Sequence, residues 1–187
     1  MEITGLIIDV KLLLIVGLII WSLIRIIIYN KNRKLSLKKE IIYIAFIIYI
    51  FCLIGITLLP IVISFIPNDY EIRPVINLNL FDFINSYNYT PKLIFFKNIV
   101  GNLLLLTPLG IFLPIIWNKK FSNLKIITLA GFLVSFTIEL GQYFEVILGL
   151  TRGGRVSDIA DLTFNTISII LGYMIFKILF NEKKFIL

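Results

Sequence analysis

Five long apolar runs, separated by short polar stretches, constrain this chain more than any other feature of its sequence. A helix needs about 20 mostly apolar residues to cross a bilayer. The runs at 6–28, 41–66, 94–117, 124–144 and 159–180 meet that length. The hydrophobic content of 59% also exceeds the roughly 45–50% of soluble domains. The pattern predicts an all-α polytopic bundle of about five transmembrane helices, folded as a single membrane domain over 1–187.

The first run, 6–28, is interpreted as a retained membrane anchor. The residues ahead of it, Met-Glu-Ile-Thr-Gly, lack the basic segment of a secretory signal, and no small-residue cleavage site follows. The segment 67–93 is the longest connection between runs, and it mixes aromatic with polar residues. Such a mixture is typical of the membrane–water boundary, so we expect part of this segment to lie there.

The distribution of lysine and arginine predicts the orientation of the bundle. Cytoplasmic loops carry an excess of these residues. With the first and third loops and the C-terminus in the cytoplasm, that side holds twelve of them and the other side six. We therefore expect an outside N-terminus and a cytoplasmic C-terminus.

Composition excludes several classes of chemistry. The chain has no histidine, which removes the Ser-His-Asp triad and every histidine-based metal site. Its single cysteine, Cys52, lies inside an apolar run and has no partner for an internal disulfide. The net charge of +7 is concentrated at helix ends, so it indicates topology and contact with anionic lipid rather than binding of nucleic acid.

The polar residues inside the apolar runs cluster towards one end of the bundle. On the predicted topology, the third, fourth and fifth helices each carry a polar stripe near the outer face, and the loop before the fifth helix adds two arginines. Ionisable groups within a bilayer are costly and usually face the bundle interior, where they pair. The predicted ligand-binding residues are therefore Asn98, Asn102, Glu139, Gln142, Arg152, Arg155, Asp158, Asp161 and Asn165.

Two interpretations of this cluster stay open. It is either an ion-pair and amide network that fixes packing, or the lining of an outward-facing pocket for a ligand headgroup. A bundle that needed only packing would use small residues and avoid the cost of desolvation. Asp158 and Asp161 also suit the N-terminus of the fifth helix, where carboxylates cap and complement the dipole. We expect no resident metal and no cofactor.

Three blocks of sequence resemble the VanZ-like family of bacterial membrane proteins. The first is Asn98-Ile-Val-Gly-Asn102-Leu-Leu-Leu-Leu-Thr-Pro108-Leu-Gly110-Ile-Phe-Leu-Pro114. The second is Ser135-Phe-Thr-Ile-Glu139-Leu-Gly-Gln142, and the third is Gly154-Arg155-Val-Ser-Asp158-Ile-Ala-Asp161-Leu-Thr-Phe-Asn165, followed by Gly172. Upstream, Arg73 and Asn77-Leu-Asn-Leu-Phe81 resemble the family's Asn-Leu-Ile-Pro-Phe element, with Leu80 in place of proline. The resemblance covers a core of about 73–180.

The resemblance implies a multi-pass protein of the bacterial cell membrane. The founding member is associated with low-level resistance to teicoplanin, a lipoglycopeptide. We therefore expect a polar pocket near the outer leaflet that engages an envelope lipid or a lipid-tailed antibiotic. In this hypothesis Arg152 and Arg155 meet an anionic headgroup, and the carboxylates hold the arginines in place.

Two further hypotheses remain. The chain is alternatively a membrane enzyme that uses Glu139, Asp158 and Asp161 on a lipid or polyprenyl-linked substrate, as general acid and base or with a divalent cation. It is otherwise a structural partner of another envelope protein. Whether there is catalysis, and the oligomeric state, are left open by the sequence.

Overall fold

The computed structural model describes residues 5–30, 36–64, 73–117, 120–151 and 155–180. Within these ranges the chain is mostly helical, with four short strands added. In chain order the elements are β1 (Gly5–Ile8), α1 (Val10–Asn30), α2 (Leu37–Leu58), β2 (Ile61–Ser64), β3 (Val75–Asn77), α3 (Leu80–Tyr89), α4 (Lys92–Leu105), α5 (Thr107–Ile116), α6 (Leu124–Ile147), β4 (Val156–Asp158) and α7 (Ile159–Leu179).

Five helical segments of the described ranges are long and apolar enough to cross a membrane, which confirms the predicted helical fold class and number of spans. They are Val10–Ile27, Leu37–Leu58, Lys92–Ile116, Leu124–Ile147 and Ile159–Leu179. The predicted second span, 41–66, was too long at its end. Its helix stops at Leu58, and Leu59 is already extended, because the residue before a proline, here Pro60, avoids helical geometry.

The described residues group into two compact units. One comprises Met1–Arg73 with Glu145–Gly153, and the other Pro74–Phe144 with Gly154–Leu187. The single membrane domain over 1–187 stays a prediction.

In the first unit, α1 and α2 pack through small residues. Gly17 lies against the ring of Phe51, and Gly55 lies against Val10, so a side chain at either glycine would collide with its neighbour. Small residues at such contacts let two membrane helices approach closely. Beside this pair, β1 and β2 form an antiparallel ladder from Gly5↔Ser64 to Ile8↔Ile61.

A charged cluster joins α1 and α2 where the two helices connect. Arg25 Nε lies 2.7 Å from Glu40 Oε2. The guanidinium carbon also lies 4.1 Å from the ring centroid of Trp21 and 5.5 Å from that of Tyr43. Carboxylate and aromatic faces thus surround a cation that the bilayer would otherwise make costly.

In the second unit, the third span is broken between α4 and α5. The backbone departs from helix at Leu106, and Pro108 occupies the first turn of α5. Proline has no N–H and its ring clashes with the carbonyl four residues earlier, so it interrupts a continuous helix. Ser168 of α7 repairs part of the break, because its Oγ accepts the N–H of Leu106 at 3.0 Å. Thr107 Oγ1 lies 3.1 Å from the same hydroxyl oxygen.

Two glycines allow α5 and α7 to cross at backbone contact. A Cβ built on Gly110 would meet the carbonyl oxygen of Ile169, and one built on Gly172 would meet the carbonyl oxygen of Thr107. Each obstacle is backbone rather than a flexible side chain. The two helices therefore depend on both glycines to reach this separation.

We predict that Gly172→Ala destabilises the protein, because its new methyl group forces α5 away from α7. Overpacking of this kind costs about 1–3 kcal/mol. The matched control is Gly101→Ala on α4, where a Cβ meets nothing within 4 Å. Thermal midpoints of the detergent-solubilised variants measure the difference. Equal midpoints for the two variants would contradict the assigned crossing.

Candidate functional site

The N-terminus of α7 supplies two carboxylates to the site. Asp158 is the N-cap, and its Oδ1 accepts the N–H of Ala160 at 2.8 Å. The capping role considered from the sequence is therefore present. Asp161 lies in the first turn, and its Oδ1 accepts a hydrogen bond from Nδ2 of Asn102 on α4. Four residues after Asn102, the third span breaks at Leu106, and the crossing of α5 on α7 follows at Gly110.

Glu139 of α6 is the third carboxylate, and it holds the segment that leads into α7. Its Oε2 accepts the backbone N–H of Asp158 at 3.1 Å. Its carbonyl oxygen accepts the hydroxyl of Ser157 at 3.1 Å. Glu139 is only 8% exposed. Its buried carboxylate thus anchors the end of β4.

A two-stranded parallel ladder crosses the site. Strands β3 and β4 pair from Val75↔Val156 to Asn77↔Asp158. Within the last pair, Asn77 Nδ2 donates to Asp158 Oδ2 at 3.1 Å. Asp158 thus receives hydrogen bonds on both carboxylate oxygens, from Asn77 and from the start of α7.

This ladder separates two concavities of opposite character, and we call it the partition. On one side is the acidic cavity, of about 370 Å³. On the other is the apolar groove, of about 350 Å³. The acidic cavity is lined by Asn77, Asp82, Phe83, Ser86, Thr90, Phe95, Asn98, Ile99, Asn102, Val156, Asp158, Ala160, Asp161 and Phe164. The apolar groove is lined by Ile76, Leu78, Phe136, Glu139, Leu140, Tyr143, Ser157, Asp158, Ile159 and Leu162.

The alternation of side chains along a strand explains the separation. Successive residues of a strand point to opposite faces. Asn77 accordingly lines the acidic cavity, while Ile76 and Leu78 on either side of it line the apolar groove. Asp158, at the end of β4, lines both. The polar and apolar halves of the site therefore meet at one carboxylate.

The structure brings together part of the residue set predicted from the sequence. Asn98 is exposed at the rim of α4 and lines the acidic cavity with Asn102 and Asp161. Glu139 lines the apolar groove, and Asp158 joins the two. These five predicted residues thus occupy adjoining walls of one site.

The remaining predicted residues lie elsewhere. Gln142 is half-buried, three residues beyond Glu139, and Arg155 is half-buried immediately before β4. Asn165 is 1% exposed, and its Oδ1 has no hydrogen-bond partner among the described residues. Among the described residues, none of these three belongs to either lining. Arg152 lies outside the described residues.

Sequence reasoning missed the contribution of α3 and the strand before it. Asn79 caps α3, accepting the N–H of Phe81 at 3.0 Å, and it donates to Asp82 Oδ1 at 2.8 Å. An Asn followed three residues later by an acid is a helix-start signal, which would have identified this helix. Leu80 is the first residue of α3, a position that also accepts proline, so the departure from the family element is compatible with the turn.

Oxygen and amide groups dominate the polar contacts of the site. Among the described residues, no group of three or more His, Cys, Asp or Glu side chains is arranged to hold a metal ion. Asp158, Asp161 and Glu139 instead accept hydrogen bonds from the side-chain amides of Asn77 and Asn102 and from backbone N–H groups. This arrangement leaves the amide-bound carboxylates facing a cavity large enough for a small polar group.

The spans and the site define the class as a multi-pass helical membrane protein with a divided polar and apolar site. The chain belongs to the VanZ-like family. The family model described as VanZ/LLP1 matches residues 46–180, which include every element of the site. No curated protein and no solved structure matches the chain.

We predict that Glu139→Ala and Glu139→Gln differ in stability. The glutamine carbonyl still accepts the N–H of Asp158, whereas alanine leaves this half-buried donor without its partner, at a cost of about 1–3 kcal/mol. Thr137→Ala is the matched control, since it removes a hydroxyl that, within the described part of the chain, donates to the Leu133 carbonyl of the same helix. Free energies of unfolding in detergent check the order. If glutamine is as destabilising as alanine, the hydrogen bond does not anchor β4.

Proposed function

We propose that this protein binds an amphiphile of the bacterial envelope at the outer leaflet and confers low-level resistance to teicoplanin-type lipoglycopeptides. The observation that carries the proposal is the junction at Asp158, where a polar cavity and an apolar groove share one wall. A molecule with a polar head and a hydrocarbon tail presents the same division. Family membership supports the bacterial membrane and the resistance, and the charge distribution supports the outer position.

The head of the ligand would enter the acidic cavity. The described charged residues of its lining are Asp82, Asp158 and Asp161, and its amides are Asn77, Asn98 and Asn102. Carboxylates accept hydrogen bonds, and asparagine both donates and accepts. A sugar or amine that donates several hydrogen bonds matches this lining.

Aromatic rings give the acidic cavity a second recognition surface. Phe83, Phe95 and Phe164 line it, and the Phe83 ring lies 5.0 Å from the centroid of each of the other two. Ring faces attract cations and pack against the C–H groups of a flat ligand. Carboxylates combined with ring faces favour a head that is neutral or positively charged.

Arg152 and Arg155 would bind an anionic group of the ligand outside the acidic cavity. Arg155 immediately precedes β4, so it would meet an anionic group of the ligand at the edge of the partition rather than inside the acidic cavity. Arg152, three residues earlier, would add a second positive charge. A phosphate or carboxylate next to the sugar is the kind of group that these two residues bind.

The tail of the ligand would lie in the apolar groove. Ile76, Leu78, Phe136, Leu140 and Leu162 supply most of its surface. Phe136 and Leu140 are exposed on α6, a membrane span, so the groove opens towards lipid. A tail can then enter sideways from the bilayer while the head stays in the polar half.

We predict that one substitution in each half weakens binding of the same ligand. Leu140→Trp fills the apolar groove, and Asp161→Asn removes a charge from the acidic cavity. Each should reduce the affinity of reconstituted protein for teicoplanin about tenfold, equivalent to about 1.4 kcal/mol. Leu133→Trp is the matched control, because it adds the same side chain at an exposed position of α6 outside the groove.

Fluorescence titration in nanodiscs measures these affinities, and a teicoplanin analogue without its acyl chain separates the two halves. The analogue should bind Leu140→Trp and the parent protein equally. If it binds as tightly as teicoplanin to the parent protein, the groove does not hold the tail. Teicoplanin susceptibility of a host that expresses each variant at matched level connects binding to resistance.

A membrane enzyme is the second candidate, and the unlike surroundings of two carboxylates favour it. Glu139 is almost wholly buried beside the apolar groove, whereas Asp161 lies in the amide-lined cavity. Two carboxylates in unlike environments can divide the roles of general acid and general base. A polyprenyl- or lipid-linked substrate would present its polar linkage between them.

We predict for this candidate that Glu139→Gln abolishes turnover but preserves binding, because glutamine cannot transfer a proton. Radiolabelled envelope lipids incubated with the purified protein, and resolved by chromatography, measure turnover. The unchanged lipid profile of the parent protein after prolonged incubation would reject the enzyme and leave the binding proposal standing.

A further inference from the structure

Helix α3 combines two faces of different character. Asp82, Phe83 and Ser86 point to one side and line the acidic cavity. Phe81 and Ile84 lie on the other side and are 71% and 61% exposed. Large apolar side chains exposed together in this way mark a contact surface.

The depth of α3 is fixed by the helices on which it packs. Its Phe83 ring stacks on Phe95 and meets the edge of Phe164, each at 5.0 Å. Phe95 is three residues from the start of the span that begins at Lys92, and Phe164 is five residues from the start of the span that begins at Ile159. At a rise of 1.5 Å per residue, both rings lie within about 10 Å of the ends of their spans.

The length of α3 is incompatible with a crossing. Ten residues make a helix of about 15 Å, half the thickness of the hydrocarbon core. A helix of this length beside the ends of two spans lies at the boundary between headgroups and acyl chains, which is the depth occupied by amphipathic interfacial helices.

The exposed apolar surface continues from α3 into the membrane span that follows it. Leu93, in the first turn of α4, is 82% exposed, and Phe96 is exposed as well. Both belong to the segment Lys92–Ile116, so lipid covers them. Lys92, at the junction, has its Nζ 5.8 Å from the Tyr87 ring centroid, where an ammonium can reach lipid phosphates while its stem stays apolar.

We propose that α3 is a membrane-interfacial helix, with Phe81 and Ile84 inserted in lipid and Asp82, Phe83 and Ser86 turned to the acidic cavity. One face of α3 thus lines the acidic cavity while the opposite face contacts the lipid. This inference concerns α3 and the membrane, and it does not depend on the ligand proposed above.

Tryptophan fluorescence in lipid vesicles tests the placement. In a parent carrying Trp21→Phe and Trp117→Phe, a single tryptophan is introduced as Ile84→Trp or, separately, as Phe81→Trp. The vesicles contain phosphatidylcholine brominated near either the glycerol end or the methyl end of its chains. Insertion to about 5–10 Å predicts roughly twofold stronger quenching by the shallow bromines than by the deep ones.

Two control positions calibrate the depth. Leu133→Trp lies nine residues into α6, near the middle of its span and on an exposed side of the helix, and should respond most to the deep bromines. Lys120→Trp lies exposed between spans and should respond mainly to iodide equilibrated across the vesicle membrane. If both α3 reporters behave like Lys120→Trp, α3 lies in water, and if both behave like Leu133→Trp, it lies in the hydrocarbon. Either result overturns the inference.

Discussion

The rest of the second unit depends on the contact between α5 and α7 at Gly110 and Gly172. Backbone meets backbone there, and van der Waals packing at such a crossing is the main attraction available to helices in lipid, where no hydrophobic force drives them together. The same crossing places Ser168 where it can accept the N–H freed at Leu106. Seven residues before Ser168, about two turns nearer the N-terminus of α7, Asp161 comes within reach of Asn102. The carboxylates are therefore positioned by a steric contact that contains no charge.

The partition is an unusual element for a bundle of membrane helices. Extended backbone within a membrane protein leaves N–H and C=O groups that lipid cannot satisfy, so such segments survive only where protein or water does so. Here β3 and β4 satisfy each other in a parallel ladder, and Glu139 binds the N–H of Asp158 at its end. A single buried side chain thereby links a helix to the strand that divides the site.

The sequence predicted the large elements because their signals are physical and local. Apolar length identified five spans. The break beside Pro108 and the end of α2 before Pro60 follow from the local chemistry of proline. The predicted topology gathered the polar residues of three helices towards one end of the bundle, and Asp161 contacts Asn102 while Glu139 contacts Asp158. The partition had no such signal, since three-residue strands show no periodicity and their pairing joins segments about 80 residues apart.

Other features were hidden for different reasons. Asn77 was noticed as part of a resemblance, but its role arises only when β3 lies beside Asp158. The sequence predicted only that part of 67–93 lies at the membrane–water boundary. The helix α3 itself was not predicted, although Asn79 is a recognisable N-cap. The burial of Asn165 and its absence from both linings depend on helix packing, which residue spacing along one helix does not determine.

The partition also has a consequence for how relatives of this protein can diverge. The groove side is built mostly from aliphatic and aromatic side chains, and its aliphatic members can be exchanged for others of similar volume without disturbing a hydrogen bond. The cavity side is different, because Asp158 simultaneously caps α7, receives the Asn77 amide and completes the ladder. For the proposed amphiphile, a change of tail length would need only small exchanges on the groove side. A change of head would need several interlocked groups to alter at once, so under this proposal we expect relatives to differ more in the tails than in the heads that they bind.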